Sequence, residues 1–230
     1  MDRRNILIGL GVLAAGAAVG GAYWLHTSQG PMPGSPRALS EGGKTTLAAA
    51  SSEMPLYDDD RILGDAAAPV TILEYSSLTC PHCAAFHRET LPRVKTEWIE
   101  SGRARLVYRH YPLDQVALRA AAAANCVPGD GFFGFMDVLF QNQEKWAGSQ
   151  DPFAAVGQYA ALAGLDKATY EKCLSDEAVI DRILEKQADG RDKYNVTSTP
   201  TFVINGTPVA GNLPYEEFNR ILEEAATKAS

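Results

Sequence analysis

The chain has 230 residues, and its 28 acidic and 21 basic side chains give a formal net charge of −7. No lysine or arginine cluster follows the N-terminus, so the electrostatic footprint of a nucleic-acid binder is missing and nucleic acid is set aside as a partner. Four cysteines in this length are too few to scaffold a disulfide mini-protein; the fold must rest on apolar burial, and the cysteines serve narrower purposes.

The N-terminal residues 1–26 read as an export signal, a membrane anchor, or both. Ile6 to Leu25 carries no charge and is long enough to span a bilayer as a helix. Arg3-Arg4 before it resembles a twin-arginine export signal, although Asp2 stands where a Ser or Thr is usual. Tyr23-Trp24 reads as an aromatic interfacial anchor, and no small-residue cleavage site follows directly. Residues 27–60 are rich in Gly, Pro, Ser and Ala, including Gly30-Pro31-Met32-Pro33-Gly34, and read as a flexible linker. The remainder, 61–230, is a comfortable size for one domain.

Val70-Thr71-Ile72-Leu73-Glu74-Tyr75 is a short apolar run bounded by Pro69 and Ser76-Ser77, the pattern of a buried central strand. Cys80-Pro81-His82-Cys83 follows it at once. From Cys80 to Glu100 the positions Cys83, Phe86, Leu91, Val94 and Trp98 recur at helical spacing, with Pro92 expected to kink the helix. Arg105 to Tyr111 reads as a second strand, with Arg109 and His110 at its solvated end or, as the alternative, bordering the cysteine motif. From about 113 to 194 the pattern is helical throughout. Phe132, Phe133, Phe135, Phe140 and Trp146 read there as core, with an exposed client-binding patch as the alternative. Thr201-Phe202-Val203-Ile204, the turn Asn205-Gly206, Thr207-Pro208-Val209 and an amphipathic helix from Pro214 to about Ala226 close the chain.

A lone C-x-x-C also occurs in zinc sites, but structural zinc wants four ligands and no second pair accompanies this one, so no metal is expected. Placement favours redox chemistry. A thiol at the start of a helix faces unpaired N–H groups and the positive end of the macrodipole, both of which stabilise thiolate. Cys80 is therefore expected to be the low-pKa nucleophile and Cys83, one turn on, its inner partner. Pro81 gives up an N–H that the first turn leaves unpaired anyway, and His82 sets a donor beside the sulfur. Cys126 and Cys173 fall in the helical stretch. In an exported chain a leftover pair suggests a structural disulfide, with two free buried thiols or a redox-signalling pair as the alternatives.

The strand ending before Cys80-Pro81-His82-Cys83, the helical insertion, and Val196-Thr197-Ser198-Thr199-Pro200-Thr201-Phe202 leading into a hairpin and last helix resemble the DsbA family of bacterial thiol:disulfide interchange proteins. The likeness covers about residues 60 to 230. It implies an α/β fold of the thioredoxin-like type with an inserted helical domain, preceded here by the signal or anchor segment. It further implies a cis peptide at Thr199-Pro200 against the dithiol, and a buried acid at Glu74 that relays a proton to the inner cysteine; a strand carboxylate at the solvent edge is the other reading of Glu74. A second cysteine pair resembles a subgroup of this family.

The activity the resemblance implies is donation of disulfides to reduced, unfolded exported proteins in the periplasm or another extracytoplasmic space. A DsbB-like, quinone-linked membrane oxidase would regenerate the dithiol, and no cofactor beyond the dithiol is expected. A disulfide isomerase or reductase of the same fold is the first alternative, and a non-enzymatic chaperone or metal-delivery protein the second.

Overall fold

The computed structural model describes residues 54–128 and 131–229. The apolar N-terminal segment, its arginine pair and the linker up to residue 53 lie outside the described residues. Among the described residues no helix is long and apolar enough to cross a membrane.

Among the described residues five strands make one mixed sheet: β1 (Arg61–Leu63), β2 (Val70–Ser76), β3 (Ala104–His110), β4 (Thr201–Ile204) and β5 (Thr207–Ala210), in the spatial order β1-β3-β2-β4-β5. β2 and β3 run parallel while the other pairs are antiparallel. A parallel pair needs a crossover, and the helical rod after Cys80 supplies it. β1 is an edge strand of three residues, too short to show a period in the sequence. Asn205 and Gly206 both adopt positive φ, 45° and 87°, as a two-residue hairpin turn requires.

The rod consists of α1 (Pro81–Ala85), a wider turn over Phe86–Thr90, α2 (Leu91–Val94), and a second wide turn over Lys95–Ile99. In the wide turns the closing bond reaches five residues back, from Leu91 N–H to the Phe86 carbonyl and from Glu100 N–H to that of Lys95. Pro92 has no N–H to give, and its ring would clash with the carbonyl four residues earlier, so the turn opens ahead of it. Phe86, Leu91, Val94 and Trp98 are buried on the sheet with Phe202, Phe218 and Leu222. The last two belong to α9 (Tyr215–Ala229).

Among the described residues six helices separate β3 from β4: α3 (Gln115–Asn125), α4 (Gly131–Gln141), α5 (Gln143–Ala147), α6 (Pro152–Leu162), α7 (Lys167–Cys173) and α8 (Glu177–Tyr194). Asp114, Asp151, Asp166 and Asp176 start four of them, each carboxylate accepting a backbone N–H of the first turn; such a cap contributes about 1 kcal/mol. Ala120 to Ala124 pack with Phe132, Phe135, Leu139, Phe140 and Trp146 in one core. Four of the five aromatic side chains noted in the sequence, Phe132, Phe135, Phe140 and Trp146, are interior and leave no exposed aromatic patch there. Cys126, at the end of α3, is disulfide-bonded to Cys173, the last residue of α7, with Cα atoms 6.3 Å apart.

The other face of the sheet carries Leu73, Tyr75, Val107 and Val203, and α8 lies across it. A Cβ at Gly190 would stand 2.6 Å from the Tyr75 ring, so the helix reaches the strand because that residue is glycine. Residues 54–60, grouped with the linker by composition, pack on this face as well. Met54 and Leu56 lie against its apolar cluster. The Asp60 carboxylate, wholly buried, pairs with Arg109 at 2.7 Å and Lys186 at 3.0 Å. The Tyr57 ring sits 4.6 Å from the Arg109 guanidinium and 4.2 Å from that of Arg182. Arg109 is therefore not at a solvated strand end: it is 1% exposed, and His110 is 6% exposed. β3 is an interior strand flanked by β1 and β2, and the entering segment closes over the Arg109 side.

Two expectations about stability follow. Replacing Cys126 and Cys173 together by Ala releases a cross-link spanning 47 residues and should cost about 2–4 kcal/mol in chemical denaturation. Arg109→Leu leaves the buried Asp60 with Lys186 and the Tyr57 backbone N–H, and the loss should fall at the lower end of the roughly 3–5 kcal/mol typical of a broken buried pair, read as a lowered denaturation midpoint.

Candidate active site: the Cys80–Cys83 dithiol

The chain leaves β2 at Ser76 and enters α1 at Pro81. Cys80 is the N-cap, in extended conformation at φ −80° and ψ 121°, with Pro81 in the first helical turn. The short connection is pinned from several sides. Cys80 N–H donates to the Ser77 carbonyl at 3.1 Å. The Gln143 amide of α5 donates to the carbonyls of Leu78 and Cys80, at 2.8 and 2.9 Å. The Thr79 hydroxyl donates to Asp114 at 2.7 Å, the same carboxylate that caps α3. The helical insertion thus grips the cysteine loop through α3 and α5.

Both cysteines are free thiols, Cys80 5% exposed and Cys83 fully buried. The Cys80 thiol donates to the Thr199 carbonyl at 3.3 Å, and the Thr199–Pro200 peptide is cis. This brings Cys80, Cys83, Thr199 and Pro200 to one place. The two thiols are electrostatically unequal. A hydrogen bond from the Cys83 thiol, helped by the backbone N–H groups of Cys83 and His82, outweighs burial and pulls Cys80 down to about 5. Burial pushes Cys83 well above the usual thiol range, and the neighbouring Cys80 sulfur pushes it further. The His82 and Pro81 side chains are exposed at the rim.

Strand alternation sends Glu74 and Ser76 of β2 to the same sheet face as Tyr108 and His110 of β3, paired in register Glu74 with Tyr108 and Ser76 with His110. That face lies under the rod. Glu74 is completely buried, not at a solvent edge, and its Oε1 is 2.8 Å from His87 Nε2. Burial, with the charges of Lys186 and Arg61, drives His110 down to about 3, so it is neutral at ordinary pH. Burial, together with the charges of Glu74 and Cys83, raises Tyr108 well above the phenol range. Cys126 and Cys173 take no part in this cluster; their bond ties α3 to α7.

Sequence reasoning missed His87, Tyr108, Ser76 and Gln143. His87 had a signal, since it follows Cys83 by four residues and so shares its face of the helix. Tyr108 had another in the strand period. Nothing local marked Gln143, which comes from a helix more than 60 residues away in the chain.

A family model described as Thioredoxin matches residues 57–224. The chain belongs to the thioredoxin family. The crystal structure of Wolbachia pipientis alpha-DsbA1 superposes with a TM-score of 0.71 at 30% identity, covering 78% of this chain and 97% of that one. A protein-disulfide isomerase from Novosphingobium aromaticivorans gives 0.64 at 26% identity, covering 74% and 99%. A curated relative from Rickettsia felis, provisionally named a protein-disulfide oxidoreductase, is 28% identical over 170 residues, 73% of this chain and 60% of that protein. The chain thus spans about three fifths of that relative's length. The thioredoxin-like fold with a helical insertion is the one shared with the DsbA proteins.

The depressed value at Cys80 links redox state to pH. An acid whose folded pKa lies below its unfolded value stabilises the fold fully above the unfolded value and loses that contribution as pH falls through the folded one. The reduced protein should therefore gain stability over the oxidised form as pH rises from about 5 to about 9, with no further gain above. Thermal unfolding of both forms across this range, with thiolate absorbance titrated alongside, checks it.

Proposed function

We propose that the protein is a thiol-disulfide oxidoreductase that donates the Cys80–Cys83 disulfide to reduced, unfolded exported proteins. The observation that carries this reading is the inequality of the two thiols: Cys80 is pulled down to about 5 while Cys83 is pushed up. A client thiolate attacks Cys80 Sγ, the Cys80–Cys83 bond breaks, and Cys83 leaves and takes a proton. A second client thiolate then attacks the client sulfur of the mixed disulfide and expels Cys80. The client loses two electrons, and the Cys80–Cys83 disulfide gains them and becomes the dithiol. Because Cys80 is stabilised as thiolate it leaves readily, and the reduced form is favoured, which makes the disulfide oxidising.

In this reading Cys80 and Cys83 are the catalytic residues, and the backbone at Thr199, next to Pro200, holds the client strand beside Cys80. His82 and Pro81 shape the mouth, Glu74 supplies the Cys83 proton, and the Cys126–Cys173 bridge keeps the helical insertion together. Export by the N-terminal segment, work in the periplasm, tethering to the inner membrane, and reoxidation by a DsbB-like membrane oxidase belong to the same proposal, supported by the sequence of residues 1–26 and the likeness to DsbA proteins.

The test is a single turnover. Oxidised protein mixed with a reduced, unfolded two-thiol client should pass on one disulfide per molecule, and Cys83→Ala, its Cys80 first activated as a mixed disulfide with a small thiol, should hold a one-thiol variant of that client covalently on Cys80. Equilibration against glutathione should leave the dithiol predominantly reduced. A disulfide that persists in strongly reducing glutathione buffer would assign the protein to reductive work instead.

A further inference from the structure

Glu74 is completely buried, yet in each turnover it must obtain a fresh proton for the departing Cys83 sulfur. Its one hydrogen-bond partner among the described residues is His87 Nε2, at 2.8 Å. His87 is itself buried, stacked on Phe140 with ring centroids 4.0 Å apart and held edge-on against Phe86 and Tyr108. Its other nitrogen, Nδ1, has no hydrogen bond among the described residues and stands 3.9 Å from Asp137 Oδ1. The Asp137 side chain is 33% exposed, and its second oxygen is paired with Lys95 at 2.6 Å. Three groups from three elements, Glu74 on β2, Tyr108 on β3 and Asp137 on α4, thus surround one imidazole that has a nitrogen toward the buried acid and a nitrogen toward the partly exposed Asp137.

We propose that His87 and Asp137 form a proton relay between Glu74 and solvent, acting on Cys83 through Glu74. The proposal rests on the redox reading of the dithiol given above. When a client thiolate attacks Cys80, the electron pair of the breaking S–S bond goes to Cys83, and the proton of Glu74 neutralises it. The Tyr108 hydroxyl lies where it feels the charges of both Glu74 and Cys83, and the Ser76 hydroxyl faces Cys83 and Tyr108, so polar groups line the interval. The Glu74 carboxylate then takes the Nε2 proton of His87, and Nδ1 takes one from solvent by way of Asp137. One proton has moved from water to Cys83, and the relay is restored once the imidazole returns to its first tautomer. Imidazole suits this passage because its two nitrogens can donate and accept at once. Burial works against a charge on His87, but Glu74 and Asp137 as carboxylates outweigh it and raise its affinity for the proton, so the imidazole draws a proton inward most strongly once Glu74 has given up its own.

The reverse direction gives the cleanest reading. Reduced protein is mixed with a chromogenic aromatic disulfide: the Cys80 thiolate releases one coloured thiol, and Cys83 then attacks Cys80 and releases a second, giving up its proton. A pH-indicator dye follows that proton into solvent. In Asp137→Asn and in His87→Gln the proton should appear about tenfold later than in the parent, a modest loss on the scale of general acid–base effects, while the first coloured step keeps its rate. Asp137→Glu should restore the parental timing. Parental proton timing in both variants, or a first step slowed as much as the proton, overturns the relay. If His87→Gln does not fold, Asp137→Asn at its half-exposed position decides alone. Absence of a fast first step at mildly acid pH would instead overturn the redox reading of Cys80, so the two failures are distinct.

Discussion

Every residue of β2, from Val70 to Ser76, is buried, and this one strand carries hydrogen bonds to β3 on one side and β4 on the other. A strand buried on both faces has its register fixed by both, because a slip of one residue would exchange the whole set of side chains between them. Here the exchange would be costly. Ile72, Glu74 and Ser76 belong under the rod, and Leu73 and Tyr75 belong under α8. The correct register delivers the chain to Cys80 with the Ser76 hydroxyl against the inner thiol and Glu74 buried on the same sheet face.

The dithiol works through unequal surroundings of two identical groups about one helical turn apart. Cys80 stands at the helix start, where backbone N–H groups converge, and Cys83 stands inside, where the Ser76 hydroxyl and the Ser77 backbone offset too little of the cost of burying a charge. Removing water from a thiolate that cannot recover its solvation costs far more than a single hydrogen bond returns. The arrangement depends on the loop between strand and helix staying put, and that loop is held by Gln143 and Asp114 of the helical insertion. The insertion is therefore part of the site's mechanical support as well as a wall beside it.

On the opposite sheet face, residues 54–60 form a clasp of one aromatic ring and alternating charges. Tyr57 is sandwiched among Arg109, Arg182 and Lys186, and its hydroxyl meets Asp189. Asp59 and Asp60 bridge α8 to β3 through Lys186 and Arg109. Buried ion pairs add little net stability over apolar packing, but they accept few alternative partners. Such a cluster fixes where the entering segment crosses the sheet.

By itself the sequence determined the order of the main elements, because apolar runs of the right length and Asn205-Gly206 are local signals. It also marked Cys80 and Cys83, since a C-x-x-C directly after a buried strand and opening a helix needs no distant partner to be recognised. Strand alternation alone put Glu74 on one face, but only tertiary packing decided that this face is closed and that His87 meets the carboxylate. The same holds for Arg109 and His110: a strand end looks solvated in sequence, and it is buried here because β1 and a segment with linker-like composition close over it. Gln143, Asp137 and the clasp at Tyr57 were invisible for one reason. Their partners lie 42 to 132 residues away, and contacts of that separation leave no periodic trace in the chain; only the folded sheet and its helices bring them together.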